Sequence, residues 1–310
     1  IGTTTINIIL KNKNIFNTIL LAANKSYIKL LSQAKKLNCK SIIVFDKENF
    51  LKAKIINKNK NIKIFNSIKD FLKIEKDKAD YTMCAITGIS GLEPIIDIIK
   101  TTKNLAIANK ESIICGWNLI EKEIIKYKVK FIPIDSEHFS IQSLIKNNRN
   151  VEIETIYITA SGGPFLKLPI SQFKNIIPGK AIKHPNWKMG KKISIDSSTL
   201  MNKVFEVIEA QRIFKLPISK FKILIHPKSY LHSIVKFHDG TTKFLIHDTN
   251  MIIPIFNSLY YEDFNRQLKS KKINFKKINN LNLTNVNLFK FPIVKFLKII
   301  PNNISLFETV

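Results

Sequence analysis

A chain of 310 residues is long enough for two domains at roughly 150 residues each and for substantial cores, which excludes a disulfide-stapled miniprotein. With 45% hydrophobic and 24% charged residues it sits near the globular average, away from the weakly hydrophobic chains that stay disordered. Its 50 basic against 23 acidic residues give a net charge of +27 and a pI near 9.9, which raises nucleic acid or an anionic membrane surface as partners.

The kind of basic residue argues against both partners. Only Arg149, Arg212 and Arg266 are arginine, the residue that base-edge readers favour for its bidentate fork. Lysines such as Lys11, Lys13, Lys52, Lys54 and Lys63 are strewn among Ile and Asn and form no single basic arm, the pattern of a solvated surface. Cys39, Cys84 and Cys115 are odd in number and too far apart for a metal knuckle, so free thiols in a reducing cytoplasm are expected. No uncharged run reaches the ~18 residues of a membrane span; the stretch 249–261 is interrupted by Asn250, Pro254 and Asn257. The expectation is a cytoplasmic protein with no membrane and no nucleic-acid partner.

Along the chain, Ile1-Gly2-Thr3-Thr4 reads as the tail of a strand-to-helix turn. Short β-branched runs at 15–21, 41–45, 62–65, 81–86, 105–108 and 131–134 predict strands. Helical patterns lie between them, with Ile28, Leu31, Ala34 and Leu37 on one face and Ile95, Ile96 and Ile99 on another. Strand, helix, strand at this spacing means a parallel sheet covered by helices on both faces, with ligands at the carboxyl ends of the strands. Punctuation then becomes dense in Gly, Pro, His and Ser. The stretch 161–191 reads as loop with one possible helix at 171–177, and its length suits a lid. A helix is predicted to start at Asp196-Ser197, one of them the N-cap, and to run through Ala210 with Met201, Val204, Phe205 and Ile208 inward. Strands are predicted at 222–225, 231–237 and 242–246. A Lys- and Asn-rich linker follows from 263, then a new amphipathic segment from 291.

Two clusters carry chemistry. If the strand 131–134 continues, Asp135 and Glu137 point to the same side at its carboxyl end. Alone, such a pair fits two solvated carboxylates as well as a metal edge. Asn202, Lys203 and Glu206 fall on neighbouring faces of one helical turn, where Lys203 and Glu206 alone would suit a surface ion pair. Together, two carboxylates from a strand end and one from a helix make an oxygen-rich set suited to Mg²⁺ or Mn²⁺. Ser161, Ser197, Asn202 and Lys203 offer hydroxyl, amide and ammonium donors for a phosphate, and His184 a further donor.

Longer motifs then carry a resemblance. Leu105-Ala106-Ile107-Ala108-Asn109-Lys110-Glu111-Ser112, Pro133-Ile134-Asp135-Ser136-Glu137-His138 and Thr159-Ala160-Ser161-Gly162-Gly163-Pro164-Phe165 stand in that order. They are followed by His184-Pro185-Asn186-Trp187-Lys188-Met189-Gly190, by Asp196-Ser197-Ser198-Thr199-Leu200-Met201-Asn202-Lys203, by Glu206-Val207-Ile208-Glu209-Ala210, and by His226-Pro227 with His232-Ser233. The series resembles the 1-deoxy-D-xylulose 5-phosphate reductoisomerases along essentially the whole chain, most clearly from Leu105 to His232.

The resemblance implies an oxidoreductase that rearranges and reduces 1-deoxy-D-xylulose 5-phosphate to 2-C-methyl-D-erythritol 4-phosphate with NADPH, in non-mevalonate isoprenoid synthesis. It implies an α/β fold: a Rossmann-like parallel-sheet NADPH-binding domain at 1–130, an α+β catalytic domain at 131–262 with its lid loop at 161–191, and a linker with the start of a C-terminal helical domain at 263–310. By motif match, Asp135, Glu137 and Glu206 would hold the divalent cation that chelates the substrate oxygens and stabilises enediolate-like charge. Lys110 and Ser136 would contact the oxygenated backbone of the phosphosugar. Ser161, Ser197, Asn202 and Lys203 would grip its phosphate, and His184 and Trp187 would belong to the closing lid. Ile1, Ala23, Asn24, Lys25, Asn109, Glu111 and Gly190 would contact the cofactor. A homodimer is also implied.

Departures from the family pattern shape these expectations. The family's Gly-Ser-Thr-Gly-Ser segment would precede Ile1 and its helical domain would extend past Val310, so poor NADPH binding or none is expected of a chain truncated at both ends. Ala22-Ala23-Asn24-Lys25 stands where the family tends to Ala-Gly-x-Asn, Val204 replaces a usual Gly, Lys228 a common Gln and Asn250 a usual Asp. Two rivals are a basic nucleic-acid binder and a catalytically inactive homologue that keeps only a dimer scaffold. The intact carboxylates and phosphate donors disfavour the second.

Overall fold

A computed structural model describes residues 1–58, 61–146, 152–187, 190–261, 266–268, 272 and 274–300; Arg149, Lys188, Met189 and the end of the expected C-terminal segment lie outside them. The chain divides into two compact units. The first comprises 1–132 with 255–261, and the second the described residues of 133–254 and 266–300.

The first unit alternates helices and strands: α1 Gly2–Lys11, β1 Leu20–Ala23, α2 Tyr27–Leu37, β2 Ser41–Val44, α3 Lys47–Ile56, β3 Lys63–Phe65 and α4 Ile68–Leu72. It continues with β4 Ala79–Cys84, α5 Leu92–Ile99, β5 Thr102–Ile107, α6 Lys110–Tyr127 and β6 Lys130–Pro133. The strands are ordered β1-β2-β3 and β4-β5-β6, with β1, β2 and β3 parallel and β4 parallel to β5. Ile42, Ile43 and Val44 of β2 are sealed from solvent, as are Leu105, Ala106 and Ile107 of β5, the continuous apolar runs of strands covered on both faces. Local polar groups set the helix starts. Asp46 accepts from Asn49 N at 3.0 Å to cap α3, and Asn109 accepts from Ser112 N at 2.9 Å to cap α6. The expected strand at 15–21 begins only at Leu20, because Ile15 N and Phe16 N bond back to Asn12 O in a turn that closes α1.

The second unit is α+β. Its elements are α7 Ser136–Ile145, β7 Ile153–Ala160, α8 Pro178–Ala181, α9 Lys191–Thr199, α10 Met201–Phe214, β8 Phe221–Ile225, β9 Leu231–Phe237 and β10 Thr242–Ile246. They are followed by α11 Ile252–Leu259, whose later residues cluster with the first unit, α12 Phe275–Ile278 and β11 Thr284–Asn285. One mixed sheet runs β10-β9-β7-β8-β11, with β7 parallel to β8 and antiparallel to β9. Ile156 and Ile158 of β7, Val207 and Ala210 of α10, and Val235 and Phe237 of β9 share its core. Helix α10 is buried from Asn202 to Arg212, including its polar residues, so it has no solvent face of the usual amphipathic kind.

Several expectations change. Asp196 and Ser197 do not start a helix: they lie inside α9, which opens after Gly190, and Leu200 at φ 67° breaks the run before α10. The sequence Lys-Lys-Ile-Ser-Ile-Asp-Ser-Ser-Thr lacks an apolar stripe, so periodicity does not reveal it. The possible helix at 171–177 is a 3-10 turn, Ile170–Asn175. Past 263 the described residues join the second unit: β11 pairs with β8, and Phe291, Ile293 and Leu297 pack on its core.

The turn after β7 is fixed by Gly163. Its φ is +66°, and a Cβ there would stand 2.6 Å from Ser197 O in α9. Gly163→Ala is therefore expected to destabilise the protein by about 2 kcal/mol or more. Urea denaturation checks it; an unchanged midpoint would mean the turn is free to open.

Candidate active site

Asp135 follows β6, and the strand does not continue through it. Its Oδ1 accepts from Glu137 N at 3.2 Å, making Asp135 the N-cap of α7 with Glu137 in the first turn. A capping carboxylate and a first-turn carboxylate replace the expected pair on a strand edge, because the short side chain satisfies an orphan N–H that strand pairing would leave bare. Helix α10 supplies Glu206. Asp135, Glu137 and Glu206 each present a carboxylate oxygen within 4.8 Å of one another.

Lys203 is not at the surface. Its Nζ lies 2.7 Å from Glu137 Oε1 and 2.5 Å from Glu206 Oε2, with its side chain 8% exposed. Ser136 Oγ donates to Glu137 Oε2 at 2.5 Å, Asn202 Nδ2 donates to Glu206 Oε1 at 2.5 Å, and Ser233 Oγ donates to Glu137 O at 3.2 Å. Burial and the neighbouring Glu206 charge push the Glu137 carboxyl up to about 8, although Lys203 opposes them. Burial disfavours the Lys203 charge, yet Glu137 and Glu206 together hold its ammonium above the ordinary lysine range. Such a set of crowded oxygens suits a hard divalent cation.

Two motif residues with no expected role, His138 and Glu209, support the cluster. His138, sealed from solvent, hydrogen-bonds Glu206 O through Nε2 at 2.8 Å, and its Nδ1 lies 3.6 Å from both Asp135 Oδ1 and Glu209 Oε2. Burial opposes its charge, but Glu209 and Asp135 raise its pKa to about 9. The signal was spacing: His138 is three after Asp135 and Glu209 three after Glu206, one helical turn each.

Of the proposed phosphate donors, Ser161 and the backbone of Ser197 meet at the glycine turn, while Asn202 and Lys203 lie at the carboxylate cluster. Ser161 Oγ accepts from Gly163 N at 3.1 Å and lies 3.0 Å from His184 Nε2, while Gly163 packs on the Ser197 backbone. His184 Nδ1 accepts from Asn186 N at 3.2 Å and Trp187 N at 3.0 Å, so its proton sits on Nε2 and faces Ser161. Asn186 Nδ2 ties the segment down by donating to Pro227 O and Ser229 Oγ. Gly190 is the exposed N-cap of α9.

The remaining predicted residues belong to the first unit. Ile1 caps α1, Ala23 ends β1, and Asn24 and Lys25 follow it. Asn109, Lys110 and Glu111 open α6 at the carboxyl end of β5, all buried. The Asn109 amide is engaged by the fold: beside Ser112 N, it donates to Gly88 O at 2.5 Å and to Ile86 O.

Comparison with known proteins decides the lineage. Family models described as 1-deoxy-D-xylulose 5-phosphate reductoisomerase and as its C-terminal domain match 1–116 and 131–214. The reductoisomerase of Pelagibacter ubique (strain HTCC1062) is 54% identical across 100% of this chain and 80% of its own length. The chain belongs to the 1-deoxy-D-xylulose 5-phosphate reductoisomerase family. A reductoisomerase of Clostridium novyi (strain NT) is 40% identical over 87% of this chain and 71% of its own. The solved reductoisomerase of Zymomonas mobilis in complex with NADPH superposes with a TM-score of 0.86 at 30% identity, covering 96% of this chain and 76% of that one. Another reductoisomerase, in complex with NADPH, fosmidomycin and magnesium, gives 0.85 at 30% identity with the same coverage.

Among the reductoisomerase motif residues, His184 gives the clearest test of electrostatics. Burial and the Lys203 charge lower its pKa to about 4. Because the fold disfavours the charged ring, this group costs stability as pH falls from the usual histidine range toward 4 and has no effect above that range. Imidazole NMR should show a midpoint near 4; a midpoint at the ordinary value near 6.5 would mean that the ring is solvated.

Proposed function

We propose that this chain carries out the NADPH-dependent rearrangement and reduction of 1-deoxy-D-xylulose 5-phosphate to 2-C-methyl-D-erythritol 4-phosphate, a step of non-mevalonate isoprenoid synthesis. One observation carries the reading: a three-carboxylate cluster and the phosphate donors Ser161, Ser197, Asn202 and Lys203 lie in the same unit, within a chain of reductoisomerase sequence. Asp135, Glu137 and Glu206 fit a metal because their crowded oxygens already demand positive charge, which Lys203 now supplies in part. When bound, Mg²⁺ or Mn²⁺ supplies Lewis-acid polarisation of the substrate oxygens and NADPH the hydride.

The residues of the chain do the rest. Ser136 and Lys110 orient the oxygenated carbons, and Ser161, Ser197 and Asn202 donate to the phosphate, whose binding energy positions the reacting carbons. Lys203 offsets part of the charge on Glu137 and Glu206 and brings an ammonium to the phosphate. Neutral His184 donates from Nε2, and Trp187 helps the lid to exclude water. For the cofactor, the end of β1 and the loop after it read Ala23-Asn24-Lys25-Ser26 without a carboxylate to take a ribose 2′-hydroxyl. The acid after β2, Asp46, is occupied as the cap of α3. Lys25 suits a 2′-phosphate, which favours NADPH over NADH. Ile1, Ala23, Asn24, Asn109, Glu111 and Gly190 complete the proposed cofactor contacts. Cys39, Cys84 and Cys115 are free thiols, in keeping with a cytoplasmic enzyme, and among the described residues no helix is long and apolar enough to cross a membrane. A homodimer belongs to the same reading.

In the full-length protein, Glu206→Gln should cut metal- and substrate-dependent NADPH oxidation by about 100-fold or more while circular dichroism stays unchanged. Turnover that persists in the variant would remove Glu206 from the metal site, and wild-type protein inert toward this phosphosugar would overturn the reading.

A further inference from the structure

The lid residue Trp187 packs on a pair of histidines. His232, in β9 and 2% exposed, meets the indole edge to face, with ring centroids 6.1 Å apart and planes at 71°. The imidazole of His247, just past β10, lies nearly parallel to that of His232, 3.6 Å away at 18°. Phe139 of α7 approaches His247 at 6.1 Å. Hydrogen bonds hold both rings. His232 Nε2 donates to His247 O at 3.3 Å, and His247 Nδ1 donates to Asp248 O at 2.7 Å, since a ring nitrogen facing a carbonyl must carry the proton. That leaves His247 Nε2 a bare acceptor, buried and with no hydrogen-bond partner among the described residues. Burial keeps both rings below the usual histidine range, and neutral imidazoles stack without repulsion. The platform is linked to the metal carboxylates, because the next residue of β9, Ser233, donates to Glu137 O.

We propose that His247 is a positioning residue for the lid: its flat face backs His232 and so sets the surface on which Trp187 seats over the substrate site. The Trp187 contact stands on geometry alone, whereas the consequence for substrate rests on the function proposed above. His247 touches none of the proposed ligands. Its role is to hold His232 at one height and tilt, so that closing the lid buries the indole against a fixed edge.

Two variants separate the ring face from the hydrogen bond. His247→Asn keeps a donor for Asp248 O and removes the face, and His247→Phe keeps the face and removes the donor. Both are made in a Trp117→Phe background, which leaves Trp187 as the sole tryptophan. The Asn variant should shift Trp187 emission to the red and raise its quenching by acrylamide. It should also raise KM for 1-deoxy-D-xylulose 5-phosphate by about 5-fold, with kcat and Mn²⁺ affinity little changed. The Phe variant should restore wild-type behaviour in both assays. Wild-type quenching in the Asn variant would overturn the proposal, as would equal changes in both variants, which would assign the effect to the hydrogen bond. Should the wild-type chain show no turnover at all, the proposed function falls, and the quenching comparison still decides the role of His247.

Discussion

The second unit is organised around one buried ammonium. Lys203 lies between Glu137 of α7 and Glu206 of α10, ion-paired to both, where solvent barely reaches. Burying carboxylates is costly unless each is paired and hydrogen-bonded, and here Ser136, Asn202 and Lys203 provide those partners. Removing one member would leave the others uncompensated, at a cost of about 3–5 kcal/mol. The cluster is therefore a poor way to gain stability and a good way to hold negative charge ready for a cation. His138 adds a brace from below, linking the backbone of Glu206 to the carboxylates of Asp135 and Glu209.

Around this charge the fold places its parts in order. The mixed sheet and α10, buried from Asn202 to Arg212, fix the carboxylates, while the glycine turn after β7 sets Gly163 on the Ser197 backbone of α9, two residues from Ser161. His184 then joins that turn to the segment carrying Trp187, and β9 supplies both Ser233 for the cluster and His232 as the ring against Trp187. The carboxylate cluster, the Ser161 turn and the Trp187 contact thus share neighbouring backbone, so a small shift in one is felt in the others.

Much of this was legible in the sequence where a single physical rule governs it. The strands at 41–44, 221–225, 231–237 and 242–246 are short β-branched runs bounded by turn residues, and the structure forms strands there with little change. The carboxylates Asp135, Glu137 and Glu206 stood out by spacing and motif. What the sequence hid was their setting. Asp135 looked like the end of a strand because a cap and a strand residue share extended backbone, and only the N–H of Glu137 decides between them. Helix α9 escaped notice because Ile193 and Ile195 form no apolar stripe, and Lys203 with Glu206 taken alone suited a surface pair because helical spacing says nothing about which face is buried. His247 carried no motif: its stacking on His232 depends on strand pairing between β9 and β10.

The surplus of lysine sets this arrangement in relief. A chain with only 23 acidic residues gathers four of them, Asp135, Glu137, Glu206 and Glu209, around Lys203 and His138. The most direct measurement is an anomalous difference map from crystals of this protein loaded with Mn²⁺. A single strong peak within coordination distance of Asp135, Glu137 and Glu206 is the predicted result; no peak there, or a peak ligated by other residues, would contradict the assignment of this buried cluster as the metal site.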